Sequence, residues 1–127
     1  MPRLITLGLL AATALAVAGA NAAAPSRTVG CPRAALPLTA NSISPASQAA
    51  FAHERSSSRP QVTAATLAAD DTDRGGIAKT ECGARVWRRT VVVYIDLRAM
   101  HPSASLSERV SFVARFPTGY RVWQVVH

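Results

Sequence analysis

The 127-residue chain lacks the sequence motifs that mark the common enzyme classes. It has no phosphate-binding loop, dinucleotide fingerprint, zinc-ligand cluster or catalytic serine elbow. With three histidines, two cysteines and seven acidic residues, it also has few groups for acid–base or nucleophilic chemistry. We therefore predict no catalytic residue, no metal site and no cofactor, and enzymatic activity is the less favoured interpretation.

A metal-binding loop is the first weak signal. Residues 71–76 are superficially similar to a calcium-binding loop because they are rich in aspartate and glycine. Gly75 and Cys82, however, stand at the fifth and twelfth positions, where such a loop needs oxygen ligands. We interpret the segment as a polar turn.

The histidines form the second weak signal. His53 and Glu54 are adjacent, so on a helix they point about 100° apart, and we expect both side chains to be solvated. His101 comes shortly before Ser103 and Ser105, but no orienting group or oxyanion site accompanies them. Neither set predicts a catalytic site.

Lysine is nearly absent, since Lys79 is the only one among 14 basic residues, and the formal net charge is +7. One explanation is codon composition, because alanine occurs 25 times and the pattern is typical of a GC-rich genome. The other is an anionic partner, because the planar guanidinium fork suits carboxylate and phosphate groups. Composition leaves both open.

The N-terminus is typical of a secretory signal peptide. Arg3 gives a short positive segment, Leu4–Ala18 is an apolar run, and small residues follow. We predict cleavage after Ala22, with Ala24 as the alternative site, so that residues 1–22 are removed. A retained membrane anchor is less favoured because the apolar run is shorter than the ~20 residues of a spanning helix. The predicted location is extracellular or at the cell envelope, with no transmembrane segment after removal.

Cys31 and Cys82 are the only cysteines, and an even number in an exported chain predicts one disulfide. The competing interpretation is lipidation of Cys31, because the preceding Thr28-Val29-Gly30 is faintly similar to the box before a bacterial lipoprotein cysteine. Thr28 stands where that box needs a bulky aliphatic residue, so we favour the disulfide.

Proline and alanine spacing divides the region before the strands. Residues 23–42 carry Pro25, Pro32 and Pro37, which predict an extended, irregular strap. A helix is predicted from Ser44, the N-cap, to about Arg55, with one stripe of small residues for close packing on a sheet. We expect residues 43–127 to form a single domain.

Alternating apolar residues predict four strands. They are Val62–Ala69, Arg85–Leu97, Ser107–Phe116 and a C-terminal partner strand. Extended structure is also expected from Ile77 onward, with a bulge or kink at Cys82-Gly83. In Arg85–Leu97 the odd positions from residue 87 are apolar apart from Arg89, so we expect one buried face. In the next strand, Val110, Phe112, Ala114 and Phe116 are predicted on the face that packs on the helix.

The last two strands are predicted to form a hairpin. Pro117 and Gly119 suit a three-residue loop. That loop would pair Phe116 with Tyr120, Ala114 with Val122, Phe112 with Gln124 and Val110 with Val126.

Together these elements predict an α+β fold in which one N-terminal helix packs on a four-stranded antiparallel meander. The order of elements over Ile43–His127 resembles the cystatin-like or nuclear-transport-factor-2-like arrangement of a helix held by a curved sheet. The resemblance rests on element order and carries no functional residues to this chain.

The outer sheet face is the candidate binding surface, since arginine beside aromatic rings can hold anionic or sugar-bearing polymers. The candidate residues are Arg88, Tyr94, Arg109, Arg115, Arg121 and Trp123. The same face could instead be solvated, or the N-terminal strap could cover Val113 and Trp123.

We therefore expect a small, exported, non-catalytic domain that binds a macromolecule at or outside the cell envelope, such as an anionic polymer or an envelope protein. No pattern indicates sequence-specific nucleic-acid binding. The alternative is a small ligand-binding protein or enzyme with a pocket between helix and sheet, beside Arg89 and Gln124. The sequence does not specify the partner or the oligomeric state.

Overall fold

The computed structural model describes residues 30–100 and 107–127. Three helices and four strands follow one another in the order α1 (Ile43–His53), β1 (Pro60–Leu67), α2 (Gly76–Cys82), α3 (Ala84–Trp87), β2 (Thr90–Leu97), β3 (Glu108–Phe116) and β4 (Gly119–Val126). The four strands form one antiparallel sheet in chain order, and α1 packs on it. The predicted α+β class and meander are confirmed.

Small side chains allow α1 to lie close to the sheet. Ala46 and Ala50 are fully buried against Val91, Val93 and Ile95 of β2. A 3-10 turn at Ala40–Ser42 leads into the helix, and the Ser42 hydroxyl accepts a 3.1 Å hydrogen bond from the backbone N–H of Thr39. The helix begins at Ile43 with Ser42 at the N-cap, so the prediction of Ser44 as the N-cap was wrong. It ends at His53 because Glu54 adopts an extended backbone.

The segment after residue 75 differs from the prediction. Extended structure was expected from Ile77, but Gly76–Cys82 forms α2 and Ala84–Trp87 forms α3. The Asp71 carboxylate accepts hydrogen bonds from the backbone N–H groups of Asp73 and Arg74, and these bonds order the turn that precedes α2. The short apolar pattern there suits a helix as well as a strand, and packing decided between them.

Two glycines make this helical segment possible. A Cβ on Gly75 would lie 2.1 Å from the carbonyl oxygen of Ala68, so only glycine fits. Gly83 has φ +89°, and its N–H donates a hydrogen bond to the carbonyl oxygen of Lys79 in α2. The predicted kink at Gly83 thus separates two helices instead of bending a strand.

The sheet is covered on both faces, whereas one buried face was predicted. Val91 and Val93 pack towards α1, while Val92 packs with Ala78 of α2 and Phe112 of β3, and all five side chains are fully buried. A second helical layer therefore lies opposite α1. Consecutive valines in a strand are typical of burial on both faces.

The face assignment of β3 was wrong for its largest residues. Val92 pairs with Phe112 and Val91 pairs with Val113 across the β2–β3 ladder. Paired residues point to the same face, so Phe112 lies towards α2 and Val113 towards α1. Val110 joins Phe112 in the cluster opposite α1.

The β3–β4 hairpin closes one residue earlier than predicted. Phe116 pairs with Gly119 and Ala114 with Arg121, so the loop has two residues, and Gly119 takes φ +126°. The register shifts at Trp123, where an extra residue of β4 is accommodated as in a β-bulge. Beyond this shift, the predicted pairs Phe112–Gln124 and Val110–Val126 are confirmed.

The described part of the N-terminal strap, from residue 30 onward, is held at one end of the sheet. Cys31 and Cys82 form the predicted disulfide, which joins the strap to the end of α2 across 51 residues of sequence. A disulfide that closes a loop of this length lowers the entropy of the unfolded chain and thereby stabilises the folded state by about 4 kcal/mol. The Leu36 N–H also donates a 2.8 Å hydrogen bond to the carbonyl oxygen of Arg115.

Within residues 30–100 and 107–127, no helix is long and apolar enough to cross a membrane.

Candidate binding site at the arginine-rich end of the sheet

The six residues predicted as one binding face lie in three different places. Arg88, Arg115 and Arg121 stand near the end of the sheet where β2 begins and β3 finishes. Tyr94 and Trp123 contact the cluster on the α2 side. Arg109 lies towards the opposite end of β3. The predicted surface is therefore not continuous. The prediction assumed regular alternation along each strand and one covered face, whereas the sheet contains a β-bulge and is covered on both faces.

Arg109 is engaged with α1. Its Nη1 donates a 3.0 Å hydrogen bond to Oε2 of Glu54, the residue that follows the helix. The Glu54 side chain is only 2% exposed, so the expectation that it is solvated was wrong, whereas His53 is exposed. The pair also leaves Oε1 of Glu54 and Nε of Arg109 buried without a partner among the described residues.

Tyr94 is used to fix the loop before α2. Its hydroxyl donates a 2.7 Å hydrogen bond to Oδ2 of Asp71. Burial and the neighbouring carboxylate raise the pKa of Tyr94 well above its ordinary value. Burial alone would raise the pKa of Asp71, but hydrogen bonds from Tyr94 and from backbone N–H groups outweigh it and lower that pKa. The polar-turn interpretation of residues 71–76 agrees with this capping geometry.

Trp123 belongs to the core on the α2 side. Its ring packs at 5.6 Å from the ring of Phe112, and its Nε1 is buried without a hydrogen-bond partner in the described residues. Val113 instead packs in the cluster with α1. The strap donates a backbone hydrogen bond to the carbonyl oxygen of Arg115 at the end of β3, and its Leu38 packs against the cluster that contains Val113.

One end of the sheet gathers arginines from three parts of the chain. Thr90 pairs with Ala114, and Ala114 pairs with Arg121, so the start of β2, the end of β3 and the start of β4 are adjacent. We call this region the arginine-rich end. Its members are Arg33 from the strap, Arg85, Arg88 and Arg89 from α3 and the residues after it, and Arg115 and Arg121 from the hairpin.

None of these six arginines forms an ion pair with a described acidic residue. In the part of the chain that the structure describes, the ion pairs join Arg74 to Asp73 and Arg109 to Glu54. Neither pair involves the arginine-rich end. Arg121 instead lies 4.3 Å from the ring centroid of Phe116, a cation–π contact that leaves its charge available.

A pocket of about 240 Å³ opens within the arginine-rich end. The side chains that line it are Pro32, Arg33, Ala35, Cys82, Arg85, Val86 and Arg89. None of these described residues is acidic. Arg89 is held in place because its Nη1 donates a 2.6 Å hydrogen bond to the carbonyl oxygen of Ala35. The pocket thus combines three guanidinium groups with a rigid, partly apolar wall.

Sequence reasoning missed Arg33 and Arg85 as members of a site, and it placed Arg89 beside a different pocket, with Gln124. Arg33 lies in the strap, and its position depends on the disulfide two residues earlier. Arg85 and Arg89 were placed in a strand, where Arg89 was expected on the buried face. No local pattern brought the three together, because Arg89 follows α3 and bonds to Ala35 of the strap.

A second groove lies between the end of α1 and the start of β1. Its lining is Phe51, Ala52, Glu54, Ser56, Arg59, Pro60, Gln61 and Arg98, and its volume is about 620 Å³. Phe51 is 50% exposed there, although most large apolar side chains of the described residues are buried. Gln124, which was predicted beside a pocket, does not line this groove or the one at Arg89.

Two further predictions concern metal and catalytic residues. No group of three or more metal-ligating side chains occurs in residues 30–100 or 107–127. His101, Ser103 and Ser105 lie outside the described residues.

Comparison of the chain with protein-family models, curated proteins and solved structures found no match.

Proposed function

We propose that this protein is an exported, non-catalytic domain that binds an anionic polymer at or outside the cell envelope through its arginine-rich end. The observation that carries this proposal is the placement of six arginines at one end of the sheet, none of them in an ion pair among the described residues.

Charge and rigidity both support binding at this end. Arginine side chains form bidentate hydrogen bonds with carboxylate, sulfate or phosphate oxygens, and several close together attract a polyanion more strongly than isolated ones. The disulfide and the strap–β3 hydrogen bond hold part of the surface in place before a partner arrives, which lowers the ordering cost of binding.

The test is binding to immobilised heparin, used as a model polyanion, over a range of salt concentrations. Affinity should fall steeply with salt, because binding releases counterions. The double variant Arg115→Glu/Arg121→Glu should lose at least tenfold in affinity. The matched control Arg55→Glu/Arg98→Glu changes net charge equally, but its exposed arginines lie outside the arginine-rich end, and it should lose less than threefold.

Equal losses in the two double variants would show that only net charge matters and would contradict the proposal. So would the absence of heparin binding by the oxidised wild-type protein at physiological salt.

A second candidate function is binding of a small ligand in the groove between α1 and β1. The observation that favours it is the half-exposed Phe51 ring beside a buried carboxylate, in a volume typical of small-molecule sites, about 300–1,000 Å³. A thermal-shift screen of small sugars and peptides, repeated with Phe51→Ala, tests it. A stabilising compound that acts equally on both proteins would argue against this groove.

A further inference from the structure

We infer that the pocket lined by Arg33, Arg85 and Arg89 is a subsite for a tetrahedral oxyanion, namely a phosphate or sulfate ester group. The inference rests on the proposed function and specifies which group of the polymer the arginine-rich end recognises.

The three arginines reach the pocket from two sides. Arg85 lies in α3, and Arg89 follows the helix in a turn in which its N–H donates a 2.9 Å hydrogen bond to the carbonyl oxygen of Val86. Both residues line the pocket on the α3 side. Arg33 lies in the strap, where its N–H donates a 2.9 Å hydrogen bond to the carbonyl oxygen of Cys31 in a tight turn.

Three positive charges around one cavity repel one another. The repulsion falls if an anion lies among the three guanidinium groups. A phosphate monoester carries nearly two negative charges near neutral pH and a sulfate ester carries one, so either group offsets part of this repulsion. No acidic residue among those lining the pocket does so.

Arg89 is prepared for this role by the strap. Its bond to Ala35 uses one N–H of a group that has five, so donors remain for a ligand. The contact also fixes the guanidinium plane before binding. Since the charge is already partly desolvated, little reorganisation is needed when an anion enters.

The size and walls of the pocket favour a small group. A volume of about 240 Å³ is smaller than typical small-molecule sites, which suits an ester oxyanion better than a whole sugar ring. Pro32, Ala35 and Val86 supply apolar walls, and lower polarity strengthens the attraction between guanidinium and anion.

The arrangement of donors favours a tetrahedral group over a carboxylate. A carboxylate offers two oxygens, whereas phosphate and sulfate groups offer three or more that point in different directions. Guanidinium groups arriving from the strap and from the α3 side can therefore each contact a separate oxygen. We expect acetate to bind much more weakly than phosphate or sulfate.

The experiment measures binding of inorganic phosphate, sulfate and acetate to the oxidised protein by NMR titration in buffered chloride. Phosphate or sulfate should shift the amide signals around residues 33–35 and 85–89, with at least tenfold higher affinity than acetate. Tighter binding of phosphate than of sulfate then indicates a phosphate ester as the bound group, and the reverse order indicates a sulfate ester. Arg33→Gln should weaken binding at least fivefold, and Arg85→Gln should do the same.

The matched control is Arg98→Gln, which removes an exposed arginine that lines the other groove. It should leave oxyanion affinity within twofold of wild type. Retained amide dispersion shows that each variant is folded, and Arg33 is exposed, so its replacement leaves the core intact.

The inference is overturned if the oxyanions bind no better than acetate, or if Arg33→Gln and Arg98→Gln have equal effects. If heparin still binds through Arg115 and Arg121 in that case, the proposed function stands without this subsite. If neither oxyanions nor heparin bind, both proposals fail.

Discussion

The Glu54 carboxylate, only 2% exposed, accepts a 3.0 Å hydrogen bond from the Arg109 guanidinium, which is 33% exposed. This ion pair ties the end of α1 to β3. A buried carboxylate is costly unless a positive group compensates it, so the two residues depend on each other.

Replacement of Arg109 by Met should reduce the free energy of unfolding by about 3 kcal/mol, because Glu54 would remain as a buried, unpaired charge. Adding Glu54→Gln to that variant should restore part of the loss by removing the charge. Urea unfolding of the two single variants and the double variant measures the coupling. Equal stability of Arg109→Met and the double variant would contradict this account.

Gly75→Ala should destabilise the protein by about 2 kcal/mol or more, since the new Cβ would overlap the Ala68 carbonyl oxygen. The neighbouring Gly76→Ala is a matched control. A Cβ there meets no atom within 4 Å, and alanine favours the helix that begins at residue 76. Thermal unfolding should rank the proteins Gly76→Ala, wild type and Gly75→Ala, from most to least stable, and a reversal would refute the close contact.

Tyr94→Phe should cost about 1.5 kcal/mol near neutral pH, because a hydrogen bond to the charged Asp71 is lost. The lowered pKa of Asp71 means that its stabilisation is lost as the pH falls below roughly 4, the ordinary pKa of an aspartate. The raised pKa of Tyr94 means that its stabilisation is lost as the pH rises above roughly 10.

Wild type and Tyr94→Phe should therefore differ most between those two limits and converge outside them. Denaturant unfolding at a series of pH values checks the shape of this difference. A difference that does not change with pH would show that the hydroxyl and carboxylate are not coupled.

Val92→Ala and Val93→Ala should each destabilise the protein by about 2 kcal/mol, because both side chains are fully buried on opposite faces of β2. If helices covered only one face, Val92→Ala would be nearly neutral. Thr63→Ala, at an exposed position on β1, serves as a surface control and should change stability by less than about 0.5 kcal/mol.

Local patterns predicted much of the fold. The small residues of α1, the alternation in β2 and the Pro117–Gly119 turn each depend on neighbouring residues, so helix, strand and hairpin could be located. The pattern failed at Ile77–Cys82, where a short apolar segment suits either helix or strand and contact with the sheet decides. The run Val91-Val92-Val93 was a readable sign of a sheet covered on both faces.

The binding surface was harder to predict because it depends on pairing between distant residues. A one-residue change in hairpin closure and the bulge at Trp123 altered which side chains of β4 lie beside β3. Arg109 was assigned to a shared face, yet it reaches Glu54, which is 55 residues away in sequence. Alternation within a strand does not contain that information.

The sequence by itself determined the α+β class, the α1 helix and the pairing of Cys31 with Cys82. Periodicity is a local property of each segment, and two cysteines admit a single pairing. Tertiary structure alone decided the second helical layer and the arginine-rich end. Arg33, Arg89 and Arg115 become neighbours through a disulfide, a hydrogen bond to Ala35 and the antiparallel register of the sheet. Such long-range contacts depend on the whole fold, so no short segment of sequence specifies them.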